Sequence, residues 1–316
     1  MRNNQITLNG VIRVIMVLLA LFIFKGAGLA QENPKSKDDF PVLKGPYLGQ
    51  KRPGDISVLF ARETLAKHGQ LHGCPVFSPD GNEVYWSQMG KGYEGIFFMK
   101  RVNNKWTNPK KPSFLPAFRF TDVPRFSPDG QRLYFIVQSP SDYDENIMYV
   151  ERKDNGWSSA QSVGKGINDL DLHWQLSVTR NLDLYFQVRN EGKTNSFIYY
   201  AKFEDGYYKK PEKLGKTINT GARELAPYVS PDGSYIIFTR MTRTENTDLF
   251  ISFRDSTGNW KEAINMGESI NSPSTELCPN VTPDSKYLFF LSTRDGESLV
   301  YWVDAKIIEK LKPKNL

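Results

Sequence analysis

The chain has 316 residues, 39% apolar and 13% aromatic, which is room for one large core or two smaller ones and too apolar for a disordered chain. Its formal charge is +6, and setting aside three basic residues of an N-terminal leader leaves 38 Lys and Arg against 35 Asp and Glu, a net of +3. No run of Lys and Arg marks a basic face, so a nucleic-acid partner is set aside.

The leader comes first. Arg2 and Arg13 precede an unbroken apolar run of eleven residues, 14–24, followed by Lys25 and then Gly26-Ala27-Gly28-Leu29-Ala30. This pattern predicts a secretory signal over 1–30 with cleavage after Ala30. Eleven apolar residues fall short of the roughly 20 that a membrane-spanning helix needs, so the alternative, an uncleaved anchor, is disfavoured. The expectation is a periplasmic or secreted protein with no stable membrane insertion after cleavage. Residues 31–49 are polar and contain prolines, and they are expected to form a flexible lead-in to a domain over 50–316.

From there a turn motif recurs. Ser78-Pro79-Asp80-Gly81, Ser127-Pro128-Asp129-Gly130, Ser230-Pro231-Asp232-Gly233 and Thr282-Pro283-Asp284-Ser285 are four copies, with a degenerate fifth at Thr179-Arg180-Asn181-Leu182. Their spacings are 49, 52, 51 and 52 residues. Pro presets φ for a type I turn, Asp bonds its own backbone, and Gly accepts the positive φ that follows. Each turn is preceded by apolar residues and followed by an aromatic strand such as Val84-Tyr85-Trp86 or Leu288-Phe289-Phe290, so each repeat opens on a hairpin.

Third strands follow at 95–101, 146–151, 196–202, 248–254 and 298–304. A fourth element opens on Trp106, Trp157, Tyr208 and Trp260, and in three repeats it ends in a Gly-x-x-Ile-Asn tail: Gly164 to Asn168, Gly215 to Asn219 and Gly267 to Asn271. Four strands at this period describe a blade, which predicts an all-β, five-bladed β-propeller of four-stranded antiparallel blades. The fifth repeat lacks its own fourth strand, and residues 56–65 carry a strand-like run with no repeat to join. Closure of the ring by that N-terminal strand accounts for both. Six blades would need a sixth hairpin, and none is present.

The phrases Pro75-Val76-Phe77-Ser78-Pro79-Asp80-Gly81 and Ala226-Pro227-Tyr228-Val229-Ser230-Pro231-Asp232-Gly233 resemble the WD40-like, or PD40, repeat of TolB-like propellers. The Gly-x-x-Ile-Asn tails running into Glu224-Leu225-Ala226-Pro227 and Glu276-Leu277-Cys278-Pro279 extend the likeness, which covers nearly all of residues 50–304. The resemblance implies a propeller in an extracytoplasmic compartment, often a protein-binding one. The chain departs from TolB in having no room for a separate N-terminal α/β domain and in a lower blade count, so only fold and compartment carry over.

Six residues before each turn stand His72, Thr121, His173, Glu224 and Glu276, a ring at one level of the channel. His68 lies four residues ahead of His72. Imidazole with carboxylate suits a divalent metal or acid–base work, with Arg125 and Arg223 as anion binders, Asp122 and Asp171 as further carboxylates, and Trp174 at the mouth. The competing reading is structural, in which such side chains tie blades together through backbone amides. No cofactor motif is present. If a metal binds, His72, His173, Glu224 and Glu276 are the expected ligands.

Cys74 and Cys278 are also repeat-equivalent, four residues before their turns in blades one and five. A disulfide suits the compartment, but packed sheets about 10 Å apart exceed the roughly 7 Å Cα limit of a bridge, which favours two small buried residues. Trp106, Trp157 and Trp260 recur at blade period and are expected to pack blades. The acidic stretch 139–145 is expected to be a solvated hairpin tip. No Gly-x-Ser-x-Gly elbow or phosphate-binding loop is present. Two functions follow: a binding module offering a rigid surface and central channel to a protein or glycan partner, or a hydrolase or lyase acting on a carbohydrate or related small substrate through a His/Glu channel site.

Overall fold

The structure is a computed structural model that describes residues 40–67, 69–90, 94–115, 120–138, 145–190, 192, 194–242, 246–314 and 316, without the side chain of His173. The leader, residues 31–39, His68 and most of the acidic stretch, 139–144, lie outside the described residues.

The turn motifs form as their chemistry dictates. The Ser or Thr hydroxyl donates to the Asp carboxylate two residues on, at 2.5 Å for Ser78–Asp80 and 2.7 Å for Thr282–Asp284. The same hydroxyl oxygen accepts the amide that opens the next strand, Glu83 at 2.9 Å and Tyr287 at 3.1 Å. The fourth motif residue is left-handed throughout, with φ of 68° at Gly81, 72° at Gly130 and Gly233, 67° at Leu182 and 58° at Ser285. Leu182 and Ser285 thus adopt the conformation that the motif reserves for glycine.

Five blades result. Their inner, second and third strands are antiparallel and hydrogen-bonded in sequence, for example Phe120–Phe126, Arg132–Gln138 and Glu145–Lys153 in the second blade. The second strands are apolar on both faces because each feeds two seams. Val84 and Trp86 pack toward the fifth blade and Tyr85 toward the second. Phe289 and Leu291 pack toward the first blade while Leu288 and Phe290 pack toward the fourth. Period-two alternation delivers alternate residues to opposite neighbours. Five hydrophobic clusters form among the described residues, one at each seam between consecutive blades and one joining the fifth blade to the first. An open array of five blades would have four seams, so the ring is closed.

The Gly-x-x-Ile-Asn tails have a specific task. Asn168, Asn219 and Asn271 each accept the amide of one third-strand residue and donate to its carbonyl, at Ile147, Ile198 and Leu249. The side-chain amide thereby continues the outer edge of the blade as a peptide would. The adjoining Ile167, Ile218 and Ile270 are buried in the seams. Outside them, Arg152 and Arg254 stack on Trp157 and Trp260, at 3.8 and 4.4 Å from the ring centroids. Both also reach the preceding blade, where Arg152 bonds Glu83 at 2.8 Å and Arg254 bonds Tyr185 at 2.7 Å. The tryptophans are packing residues, as their period implies.

Closure uses the N-terminal strand, in shorter form than expected. Val58 and Leu59 pair with Trp302 and Tyr301, and the Phe60 amide bonds the Val300 carbonyl at 2.8 Å. The strand therefore is the outer strand of the fifth blade, but the run 56–65 is not all strand, because Arg62–Leu65 forms a single helical turn. The lead-in also differs from expectation where it is described. Lys44 bridges to Lys105, the Trp106 indole donates to the Gly45 carbonyl at 2.7 Å, and Leu48 is fully buried. Tyr47 sits with its ring centroid 5.1 Å from both Phe77 and Tyr287, across the seam of the first and fifth blades. The sequence reads as flexible there because a strap of Gly, Pro and Lys with two inserted apolar residues has no periodicity. The C-terminal helix Lys306–Leu311 buries Ile308 against the fourth and fifth blades.

Candidate functional site at the channel

Inner strands line the channel of a propeller. Here those of the second to fifth blades are each broken by a bulge, with register slipping between Asp122 and Arg125, Leu172 and Leu176, Leu225 and Tyr228, and Leu277 and Asn280. Val123, Trp174, Ala226 and Cys278 take left-handed backbone there, with φ of 49°, 57°, 48° and 55°. A bulge re-aims the side chains beside it. The repeat period did not reveal this, since no glycine marks these positions.

The five ring positions do different things. Glu224 and Glu276 are fully buried and bonded to protein, Glu276 through both carboxylate oxygens and Glu224 through one, its other oxygen having no hydrogen-bond partner among the described residues. Glu276 accepts from the Ser272 amide at 2.9 Å, from the hydroxyls of Ser272 and Ser292 at 2.7 Å each, and from Arg294 at 3.2 Å. Glu224 accepts from the Thr220 amide at 3.0 Å, the Thr220 hydroxyl at 2.7 Å and Arg240 at 3.2 Å. Ser272 and Thr220 directly follow the tails of the preceding blades, and Arg294 and Arg240 also grip the tail carbonyls of Ile270 and Ile218. Each Glu–Arg pair is thus a buckle between neighbouring blades. Arg240 and Arg294 were not singled out from sequence, although both follow the aromatic strand of their repeat. Thr121 accepts the Ile96 amide of the first blade at 3.2 Å.

His72 is different. Its Nδ1 bonds the carboxylate of buried Asp122, and its ring lies 4.9 Å edge-to-face from Trp174 and 6.1 Å from Phe120. The Asp122 carboxylate also accepts the Val123 amide at 2.8 Å. Burial opposes the charged imidazole, but the bond to Asp122, its charge and that of Glu145 outweigh it and raise the His72 pKa. Trp174 is half-buried, and its amide donates to Glu145 at 2.9 Å. His173 lies on the inner strand Leu172–Val178, with its side chain outside the described residues. Asp171 pairs with Arg189 at 2.6 Å, and Arg223 is exposed. The structure therefore joins His72, Asp122, Trp174 and Phe120, and it gives Glu224 and Glu276 to interblade buckles.

A pH test follows from the His72–Asp122 pair. A folded pKa above the ordinary 6.5 stabilises the protein fully below that value and loses the contribution as pH rises through the folded pKa. The stability gap between wild type and His72→Gln in urea unfolding is expected to be widest in mild acid and to narrow into mild alkali. A gap constant with pH would contradict the pairing.

Cys74 and Cys278 are both buried and free. Burial, with the Asp122 charge adding, pushes Cys278 up to about 12 despite Arg125 and Gln175, and burial raises Cys74 well above its usual value. Burial thus favours the protonated thiols, which weakens them as nucleophiles. Among the described residues no three His, Cys, Asp or Glu side chains converge to hold a metal. A cleft of about 670 Å³ beside the C-terminal helix, lined in part by Arg254, Lys286 and Lys306, includes none of the ring residues. No helix of the described residues is long and apolar enough to cross a membrane.

The five blades and closed ring define a five-bladed β-propeller, and its fold is similar to that of TolB-like propellers. A TolB-like protein from Agrobacterium tumefaciens superposes with a TM-score of 0.50 at 17% identity, over 71% of this chain and 70% of that one. The endo-arabinase from Bacteroides thetaiotaomicron gives 0.50 at 10% identity, over 75% of this chain and 94% of its own. TolB from Acinetobacter baumannii gives 0.49 at 14% identity, and this chain's match spans 75% of itself and about half, 52%, of that protein. No protein-family profile and no curated protein matches the chain. These likenesses concern the fold.

Proposed function

We propose that the chain is an extracytoplasmic binding propeller that receives a protein or glycan partner at the channel end where the inner strands begin. The observation that carries this reading is Trp174. A bulky indole on left-handed backbone is strained by roughly 1–3 kcal/mol, and it is only half-buried, edge-to-face with His72. Packing alone does not call for an indole there, whereas a flat amphipathic ring at a channel mouth suits stacking on a sugar or a peptide side chain. Glu276 is taken up by interblade bonds and Glu224 by bonds to one of its oxygens, so the hydrolase or lyase alternative would rest on His72, polarised by Asp122.

The test uses the mature protein, a panel of purified cell-envelope proteins and a panel of oligosaccharides. Trp174→Asn, which tolerates the backbone, is expected to weaken the bound partner about tenfold or more, since a base or ring stacked on an aromatic is commonly worth 1–3 kcal/mol. Turnover of an oligosaccharide that vanishes in His72→Gln would replace this reading with the hydrolase or lyase one.

A further inference from the structure

The turn end of the channel holds a buried guanidinium. Arg125 is 5% exposed. It donates from Nε to the Leu176 carbonyl at 3.2 Å, from one terminal nitrogen to Asn280 and from the other to Gln175 at 2.9 Å. All three acceptors are uncharged. Two of its five N–H protons remain uncommitted. Among the described residues no carboxylate pairs with it, and Asp122 is taken by His72. Burial lowers the Arg125 pKa, yet a guanidinium keeps its charge in a protein. A buried charge with no counter-charge is costly.

A cavity of about 120 Å³ opens onto this group. Its rim carries Pro79, Pro128, Pro231 and Pro283, the prolines of four turn motifs, and its walls include Val229 and Val281. Arg125 and Asn280 are among its polar lining, and no acidic residue lines it. Ser177 also lines it. The Ser177 hydroxyl oxygen accepts the Val229 amide at 2.9 Å, which leaves its proton free to donate. The turn aspartates next to the prolines face back into their own turns, where each accepts its hydroxyl and an amide. The degenerate third turn has exposed Arg180 where the other four have proline, and the Arg180 amide bonds the carbonyl of the rim residue Pro231 at 2.7 Å.

We infer that this cavity is a binding site for an apolar carboxylate that enters head first, its oxygens on Arg125 and Ser177 and its hydrocarbon end against the proline and valine collar. Charge complementarity fixes the head, and the apolar collar excludes a strongly hydrated anion such as sulfate. A free branched-chain acid and the C-terminal carboxylate of a peptide ending in an apolar residue share this chemistry.

Calorimetric titration of the mature protein with 3-methylbutanoate and with the neutral 3-methylbutanamide tests it. The acid is expected to bind and the amide to bind at least about tenfold more weakly, the usual margin of a charge-assisted bond. Arg125→Gln should abolish the preference. Because Arg125 also links blades, Arg180→Glu at an exposed position provides a second variant, expected to weaken the acid several-fold with unchanged unfolding. Ala-Ala-Leu with a free or amidated C-terminus separates the two sources: binding of the free peptide above the small acid assigns a peptide tail, and the reverse order assigns a free acid. Equal binding of acid and amide, or no binding of either acid or free peptide up to about 10 mM to folded wild type, overturns the site.

Discussion

Replacing Phe60 by Ala is expected to cost about 3–5 kcal/mol of stability, near the upper end for a single core deletion. Phe60 follows the two-residue closing strand and is fully buried. Its ring lies 4.7 Å from Phe289 and 4.9 Å from Trp302 in the fifth blade, and 6.4 Å from Phe77 in the first. One side chain thus holds both sides of the closing seam. Its loss leaves a cavity where chain ends meet, and a strand of two residues has little else to retain it. Urea unfolding measures the cost, and a loss under about 1 kcal/mol would mean that the seam closes without the N-terminal strand.

Glu276→Ala is expected to be comparably severe, about 3–5 kcal/mol, the range for removing one partner of a buried charged pair. The substitution strands Arg294 and leaves the Ser272 amide and two hydroxyls without their acceptor. A carboxylate kept for chemistry rather than for the fold would show the opposite, with stability unchanged or improved on removal. Melting of Glu276→Ala beside wild type distinguishes the two.

The propeller was legible because its signals are local. A hydroxyl, a proline and an aspartate in sequence build the same turn in the four full copies, and the degenerate Thr179 turn still reaches the left-handed geometry at Leu182. The Asn of each tail was visible as a repeat, but its pairing with Ile147, Ile198 and Leu249 needs the third dimension. The ring of His72, Thr121, His173, Glu224 and Glu276 was legible as a position and not as a role. Role depends on what faces each residue: Arg294 and Ser272 for Glu276, Asp122 for His72. Those partners lie 4 to 50 residues away, without a shared motif. The inner-strand bulges and the strap over the closing seam left no trace in composition or period.

The division of the ring into buckles and a binding mouth is the central claim, and the unfolding free energy of Trp174→Asn beside that of Glu276→Ala tests it most directly. If Trp174 is held at the mouth against the preference of its backbone, Trp174→Asn should stay within about 1 kcal/mol of wild type while Glu276→Ala loses several times that. If Trp174→Asn unfolds as readily as Glu276→Ala, the indole is a structural member like the buckles, and the mouth is not a site.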